Sequence, residues 1–147
     1  MNKMKLFTIG FTKKNAETFF EKLKKFGVVK LIDIRLNNVS QLAGFTKKDD
    51  LIYFLKEICG CDYMHEPLLA PTKEILDAYK KKETTWSEYE KQFNDLLISR
   101  KAHTLLSSSE IHMACLLCSE PTPDKCHRRL VVEFFKNHFE EIEIIHL

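Results

Sequence analysis

The sequence predicts a single α/β domain with a mostly parallel sheet and helices on both faces. Apolar segments of strand length alternate with helical segments along the 147 residues, as in β-α-β units. The 44% hydrophobic and 30% charged content is typical of one globular domain with a real core. Because no repeat, linker or low-complexity segment divides the chain, residues 1–147 are interpreted as one domain.

The amino-terminal part of the chain predicts two strands joined by a helix. An apolar strand over residues 5–9 leads to Asn15, which can cap a helix whose apolar residues share one face. Gly27 ends this helix. A second strand follows over residues 28–34, and it is apolar enough to lie in the centre of a sheet.

The next segment predicts another helix and a short strand. Thr46 and Asp49 form a capping pattern that favours a helix through residue 58. A strand is predicted over residues 61–65, and two prolines then indicate a loop over residues 68–72.

Two further helices are predicted from their capping residues. Thr72 can cap a helix that extends to about residue 82. Thr85 and Glu88 form a capping box that opens a helix to residue 100.

The carboxy-terminal part predicts a buried strand over residues 111–118, a helix over residues 125–138 and a last strand over residues 142–146.

Composition and charge exclude several classes of protein. The net charge is only +2, which is too small for a general nucleic-acid coat protein. No apolar run is long enough for a signal peptide or a membrane span, so we expect a cytoplasmic protein that makes no membrane contact. The five cysteines are therefore expected to be reduced thiols.

The most informative segment covers residues 115–135, where an apolar strand ends at Cys118 and a helix restarts beside Cys126, His127 and Arg128. In a parallel sheet, the carboxyl ends of the strands share one edge, where ligands bind at a reversal of strand order. The first strand ends near Thr12 on this edge. The sequence therefore predicts that several polar strand ends converge there.

Each thiol and imidazole of this turn has two interpretations. Cys118, facing the amino terminus of a helix, has the surroundings of a reactive thiolate, whereas cysteine in an apolar run is often only buried. Cys126 can pair with or assist Cys118, or it can be a half-buried helix cap. His127 can shuttle protons or act as a polar cap. Glu120 can serve as a general base or orient Arg128.

Only four of the 23 basic residues are arginines, and two of them stand in this helix. The guanidinium of Arg128 can hold a carboxylate or phosphate bidentately, or it can form a salt bridge to Glu120 or Asp33 that fixes the loop. Arg35 follows the second predicted strand, and Asp33 at the same strand end can orient Arg128 or act as a general base.

Metal and nucleotide motifs are not indicated. Seven residues separate Cys118 from Cys126, and one residue separates Cys59 from Cys61, whereas paired zinc ligands usually lie two to four residues apart. The four glycines do not form a phosphate-binding loop. We therefore expect neither a metal nor a cofactor.

Five motifs in this order resemble the domain of unknown function 488 (DUF488) family. They are TIGFT at residues 8–12, LIDIRLNN at 31–38, SQLAGF at 40–45, DYMHEPLLAP at 62–71 and CSEPTPDKCHRR at 118–129. The resemblance covers essentially the whole chain. Its most specific part is the Cys-x-Glu followed by Cys-His-Arg.

The resemblance implies a compact α/β domain with these motifs at one sheet edge, and it implies no particular reaction. One departure is clear, because Phe11 stands where the family usually has a histidine. Any role of that histidine does not carry over to this chain. The family's tyrosine-x-histidine motif is kept as Tyr63 and His65.

Two functions are compatible with these residues. In the first, the protein binds a phosphate-bearing ligand, either a nucleotide or a nucleic-acid end, and acts on it through Cys118. The ligand-binding residues are then Arg128, Arg35, Asp33, Cys126, Tyr63, His65 and Thr12. In the second, the same turn is a structural ion-paired network in a non-catalytic module that binds nucleic acid or protein. A thiol switch between Cys118 and Cys126 is a third interpretation.

Overall fold

In the computed structural model, which describes residues 3–38, 44–119, 125–139 and 141–147, five strands form one parallel sheet. The strands are β1 (Met4–Gly10), β2 (Lys30–Asp33), β3 (Asp62–His65), β4 (Ala114–Cys118) and β5 (Ile142–His146). Their order is β3-β2-β4-β1-β5, and each neighbouring pair is parallel. The predicted α/β class with a parallel sheet is confirmed.

Helices of very different lengths connect the strands. The α-helices of the described residues are α1 (Ala16–Lys25), α2 (Lys48–Phe54), α3 (Lys73–Lys80), α4 (Trp86–Ser99), α5 (Ser108–Ile111) and α6 (His127–His138). Short 3-10 turns lie at Gly44–Thr46, Pro67–Leu69 and Ala102–Thr104, and α2 continues into a π-helical turn at Leu55–Cys59. Within the described residues, no helix has the length and hydropathy needed to cross a lipid bilayer.

The alternation of side chains along the strands divides the core into two halves. Leu6 and Leu116 point to one face of the sheet, where α4 and α6 pack. Phe7 and Leu117 point to the opposite face, where α1 and α2 pack. The sheet is therefore covered on both sides, as the sequence predicts.

This arrangement places a topological switch point at the carboxyl end of β4. The chain leaves β1 and β2 towards helices α1 and α2 on one face, whereas it leaves β4 towards α6 on the other face. Because β4 lies between β2 and β1, its carboxyl end is flanked on both sides by strands that connect in the opposite direction. Such crevices are the usual ligand sites of open parallel sheets.

Local capping explains where three of the long helices begin. Asn15 Oδ1 accepts a hydrogen bond from the backbone N–H of Thr18 at 2.8 Å. Thr72 caps α3, and Thr85 forms the predicted capping box with Glu88 at the start of α4. These predictions are confirmed.

Two predicted starts are wrong by a few residues. Thr46 does not cap α2, which begins at Lys48 without a side-chain cap. Thr46 is instead fully buried in a 3-10 turn. The strand predicted from residue 111 begins at Ala114, because a capping box between Ser107 and Glu110 turns the preceding residues into the short helix α5.

We expect Leu116→Ala to lower the free energy of unfolding by about 2–5 kcal/mol, because Leu116 is fully buried in β4 and its removal leaves a cavity. Ile98→Ala is the matched control, since Ile98 is 62% exposed and its loss should cost less than about 0.5 kcal/mol. Urea denaturation followed by circular dichroism measures both. Equal destabilisation by the two substitutions would contradict the assignment of the core.

Candidate active site at the carboxyl edge of the sheet

The strand register brings the predicted polar strand ends together around β4. Gly10 of β1 lies opposite Cys118, and Asp33 of β2 lies opposite Leu117. Beyond the strands, the backbone N–H of Thr12 donates to the carbonyl oxygen of Ser119 at 3.0 Å. The loops that follow β1 and β4 are therefore joined directly at this edge.

Three side chains of the turn form a buried group, which we call the thiol–imidazole cluster: Cys118, Cys126 and His127. The Sγ atoms of Cys118 and Cys126 are 2.8 Å apart, and Cys126 is the donor. His127 Nδ1 lies 3.4 Å from Cys118 Sγ. Their exposed fractions are 3%, 2% and 9%, so the cluster is almost entirely screened from water.

Helix α6 and strand β2 together fix the orientation of His127. Cys126 is the N-cap residue of α6, and His127 is the first residue of the helix. The Nε2 atom of His127 lies 2.7 Å from the carbonyl oxygen of Ile34, just beyond β2. Since a carbonyl only accepts, Nε2 carries a proton and donates it. The Nδ1 atom of the neutral ring is then an acceptor that faces Cys118.

The electrostatics of the cluster couple the imidazole of His127 to the sulfur of Cys118. Burial lowers the pKa of His127, but the charge of Cys118 and hydrogen bonds to Cys118 and Ile34 raise it by more, so the net shift is upward. The pKa of the Cys126 thiol is raised strongly, first by burial and then by its hydrogen bond to Cys118 and the charge there. Cys126 therefore remains a proton donor beside Cys118.

Arg128 adds positive charge to this edge from a fully buried position. Its charge opposes protonation of His127 and lowers the otherwise raised pKa of Cys126. It also acts on Cys115, which points to the opposite face of the sheet, where burial raises the thiol pKa. Arg128 therefore influences both faces of the sheet edge.

Lys14 is a second cation at this edge that sequence reasoning missed. It lies in the loop after β1 and is partly buried. Burial lowers its pKa, and repulsion from Lys22 and Arg128 lowers it further. Among the described residues, no carboxylate forms an ion pair with Lys14. The available sequence signal was its position, two residues beyond Thr12.

The remaining predicted residues form a separate group, the Asp33–Arg35 network. Arg35 donates through Nε and Nη2 to the two oxygens of Asp33 at 2.8 and 2.7 Å, and both residues are buried. The hydroxyl of Tyr63 donates to Asp33 Oδ2 at 2.7 Å, and the amide of Asn38 donates to this hydroxyl at 3.0 Å. Burial, with the Asp33 contact, raises the pKa of Tyr63.

This network is anchored to neighbouring loops. Arg35 Nη2 also donates to the carbonyl oxygen of Thr46 at 2.7 Å, and His65 Nε2 lies 2.8 Å from the carbonyl oxygen of Arg35. The guanidinium carbon of Arg35 lies 5.5 Å from the ring centroid of Phe11, so the aromatic ring packs against this arginine. The Nη1 atom of Arg35 has no hydrogen-bond acceptor among the described residues.

The structure thus separates the predicted site residues into two groups. The thiol–imidazole cluster lies towards α4 and α6, where the ring of His127 packs edge-on against that of Phe93 with their centroids 5.7 Å apart. The Asp33–Arg35 network lies towards α1 and α2, since Tyr63 packs on the other half of the core. Asp33 neutralises the positive charge of Arg35. The predicted role of Arg35 in ligand binding stays a prediction. Glu120 lies outside the described residues, and so does any salt bridge between it and Arg128.

The cluster also has the composition of a metal site, because its three potential ligand atoms lie within 4.8 Å of one another. The wide spacing of Cys118 and Cys126 in the sequence therefore does not exclude a metal site, because their sulfur atoms lie close together in space. The present arrangement is nevertheless too tight for zinc. Two sulfurs on tetrahedral zinc, with Zn–S bonds of about 2.3 Å, are about 3.8 Å apart. The absence of a metal stays a prediction.

Fold and site define a parallel α/β domain with a buried cysteine–histidine pair at its switch point. The family model described as Domain of unknown function DUF488 matches residues 15–135, and the chain belongs to this family. The resemblance carried by the motifs is thereby confirmed. Comparison with curated proteins gave no match, and neither did comparison with solved structures.

We expect Cys118→Ser to lower the pKa of His127, because burial then acts without the opposing negative charge of the sulfur. NMR titration of the imidazole resonances measures this shift. Cys115→Ser is the control, since Cys115 lies in the same strand but points to the other face. An unchanged titration of His127 in Cys118→Ser would show that the two side chains are not electrostatically coupled.

Proposed function

We propose that the carboxyl edge of the sheet is an active site in which Cys118 attacks an electrophilic atom of a phosphate-bearing ligand. The observation that carries this proposal is the fixed position of His127. One ring nitrogen is held by the Ile34 carbonyl, and the other faces the sulfur of Cys118 at 3.4 Å. A nucleophile, an adjacent base and a third group that orients the base are the elements of nucleophilic catalysis.

The proposed reaction uses these atoms in a defined order. The Cys118 thiol gives its proton to His127 Nδ1, which makes a thiolate beside an imidazolium. The sulfur then donates an electron pair to a phosphorus atom of the ligand, and the bond from that phosphorus to its leaving oxygen breaks. His127 returns the proton to the leaving oxygen. Water later cleaves the bond to sulfur and restores the thiol.

We infer that the ligand carries a phosphate because this edge of the sheet is positively charged. Burial lowers the pKa of Lys14, repulsion from Lys22 and Arg128 lowers it further, and a bound anion would offset this repulsion. The amino terminus of α6 adds a favourable dipole. Arg128 is fully buried, so we assign the direct contact with the ligand to Lys14 and a longer-range electrostatic role to Arg128.

Access to the sulfur is narrow. Because only 3% of Cys118 is exposed, we expect ligand binding to displace some of the groups that cover it. Nucleotides and nucleic-acid ends are the ligand classes we favour, since both present a terminal phosphate to Lys14.

A non-catalytic binding module is the second candidate. The Asp33–Arg35 network favours this candidate. Its bidentate ion pair is buried on both sides, as expected of residues that hold the local structure in place rather than bind a ligand. In this function the edge shapes a surface for nucleic acid or protein. Binding to a nucleic-acid backbone should weaken steeply between low and moderate salt, whereas binding of a small phosphate compound should depend on salt far less.

We expect Cys118 to be alkylated by iodoacetamide with a pH midpoint below about 8.5, the value for free cysteine. His127→Gln should move this midpoint upward, because the positive partner of the sulfur is lost. Mass spectrometry of the Cys118 peptide gives the rate at each pH.

The matched control for this experiment is His138→Gln, at the other end of α6, which should leave the midpoint unchanged. The catalytic version of the proposal fails if Cys118 in the unsubstituted protein reacts with the pH dependence of free cysteine.

We expect inorganic phosphate and nucleoside monophosphates to raise the melting temperature, and Lys14→Ala to remove most of this stabilisation. Lys30→Ala is the control, because Lys30 is also partly buried but lies at the amino end of β2. Thermal denaturation at constant ionic strength measures the effect. Identical stabilisation of both variants would exclude the proposed anion site, and stabilisation only by oligonucleotides at low salt would favour the second candidate.

A further inference from the structure

We propose that Cys118 is a site of oxidation by hydroperoxides and that Cys126 resolves the oxidised sulfur to a reversible disulfide. The inference rests on the proposed function only where it implies that the disulfide removes the nucleophile. The disulfide itself can form whether or not Cys118 acts as a catalytic nucleophile.

The geometry singles out this pair among the five cysteines. The two sulfurs lie 2.8 Å apart, which is closer than the roughly 3.5 Å at which even carbon atoms make optimal non-bonded contact. A small approach brings them to the S–S bond length of about 2.0 Å. The two thiols come from different elements, the end of β4 and the N-cap of α6, so their bond would join the strand to the helix.

The other thiols have different neighbours. Cys115 points to the opposite face of the sheet. Cys59 donates to the carbonyl oxygen of Phe20 at 3.5 Å, and Cys61 donates to that of Asp62 at 3.4 Å. Burial also raises the pKa of Cys61 to about 12. These three cysteines therefore serve as internal references for the oxidation of Cys118.

The chemistry divides into two steps. The Cys118 thiolate attacks one oxygen of hydrogen peroxide and the O–O bond breaks; the departing hydroxide takes the proton from His127 and leaves as water. Cys118 is then a sulfenic acid. The sulfur of Cys126 attacks the Cys118 sulfur, the S–O bond breaks, and the hydroxide leaves as water with the proton of Cys126. Two thiols and one peroxide thus give one disulfide and two waters.

The surroundings assign different roles to the two thiols. Cys118 faces the imidazole of His127, which can take its proton, so it is the sulfur that reacts first with peroxide. Cys126 is the donor in the contact between the sulfurs, and burial with the nearby Cys118 keeps its pKa high. It therefore holds its proton until the sulfenic acid forms. A dithiol reductant reverses the reaction by thiol–disulfide exchange.

The test is mild oxidation of the full chain with hydrogen peroxide, followed by digestion without reduction. We expect a linked peptide pair that contains Cys118 and Cys126 and has lost two hydrogen atoms, and we expect dithiothreitol to restore both thiols. In Cys126→Ser, a sulfenic acid should accumulate on Cys118 and be trapped by dimedone. Cys115→Ser is the control that should still form the linked pair.

The outcomes separate this inference from the proposed function. A linked pair together with alkylation of Cys118 at the pH of free cysteine supports the disulfide and removes the catalytic proposal. Alkylation of Cys118 with a pH midpoint below that of free cysteine, without a linked pair, supports the catalytic proposal and excludes the disulfide. The inference is overturned if unsubstituted protein shows no link between Cys118 and Cys126, or if Cys59 and Cys61 oxidise first. A circular dichroism spectrum of each sample checks that the fold is retained.

Discussion

The hydrogen bond between His127 Nε2 and the carbonyl oxygen of Ile34 is the interaction on which the site depends. It ties the first residue of α6 to the end of β2, across the carboxyl end of β4. It also sets the tautomer of the neutral imidazole, so that the Nδ1 lone pair faces Cys118.

The parallel sheet explains why this bond can form. The carbonyl group of Ile34 lies just beyond the last residue of β2, and α6 begins where the chain returns after β4. The same strand alternation sends Asp33 to the opposite face, where it fixes Arg35 and Tyr63. One sheet edge thus carries the thiol–imidazole cluster on one face and a neutralised ion pair on the other, and Arg128 exerts its charge on both faces.

Much of the fold could be predicted, because its signals are local. The caps at Asn15, Thr72 and Thr85 act over three residues, and the apolar strand runs reflect burial on both faces. The start of β4 was misplaced because a capping box at Ser107 lies beside an apolar segment and produces a short helix.

The geometry of the site could be predicted only in part. The types of residue and the sheet edge were evident, but the spacing of Cys118 and Cys126 along the chain gave no measure of the distance between their sulfur atoms. Lys14 was missed because a lysine in a loop resembles many surface lysines. Its partial burial near Arg128 depends on tertiary packing that no local pattern records.

A crystal structure of the protein grown at high phosphate concentration would show whether this edge of the sheet binds an anion beside Cys118. We predict a phosphate ion that accepts a hydrogen bond from Lys14 Nζ and lies about 3–3.5 Å from Cys118 Sγ, at the distance of a near-attack geometry. A structure in which Cys118 stays covered and no phosphate lies beside Lys14 would contradict it.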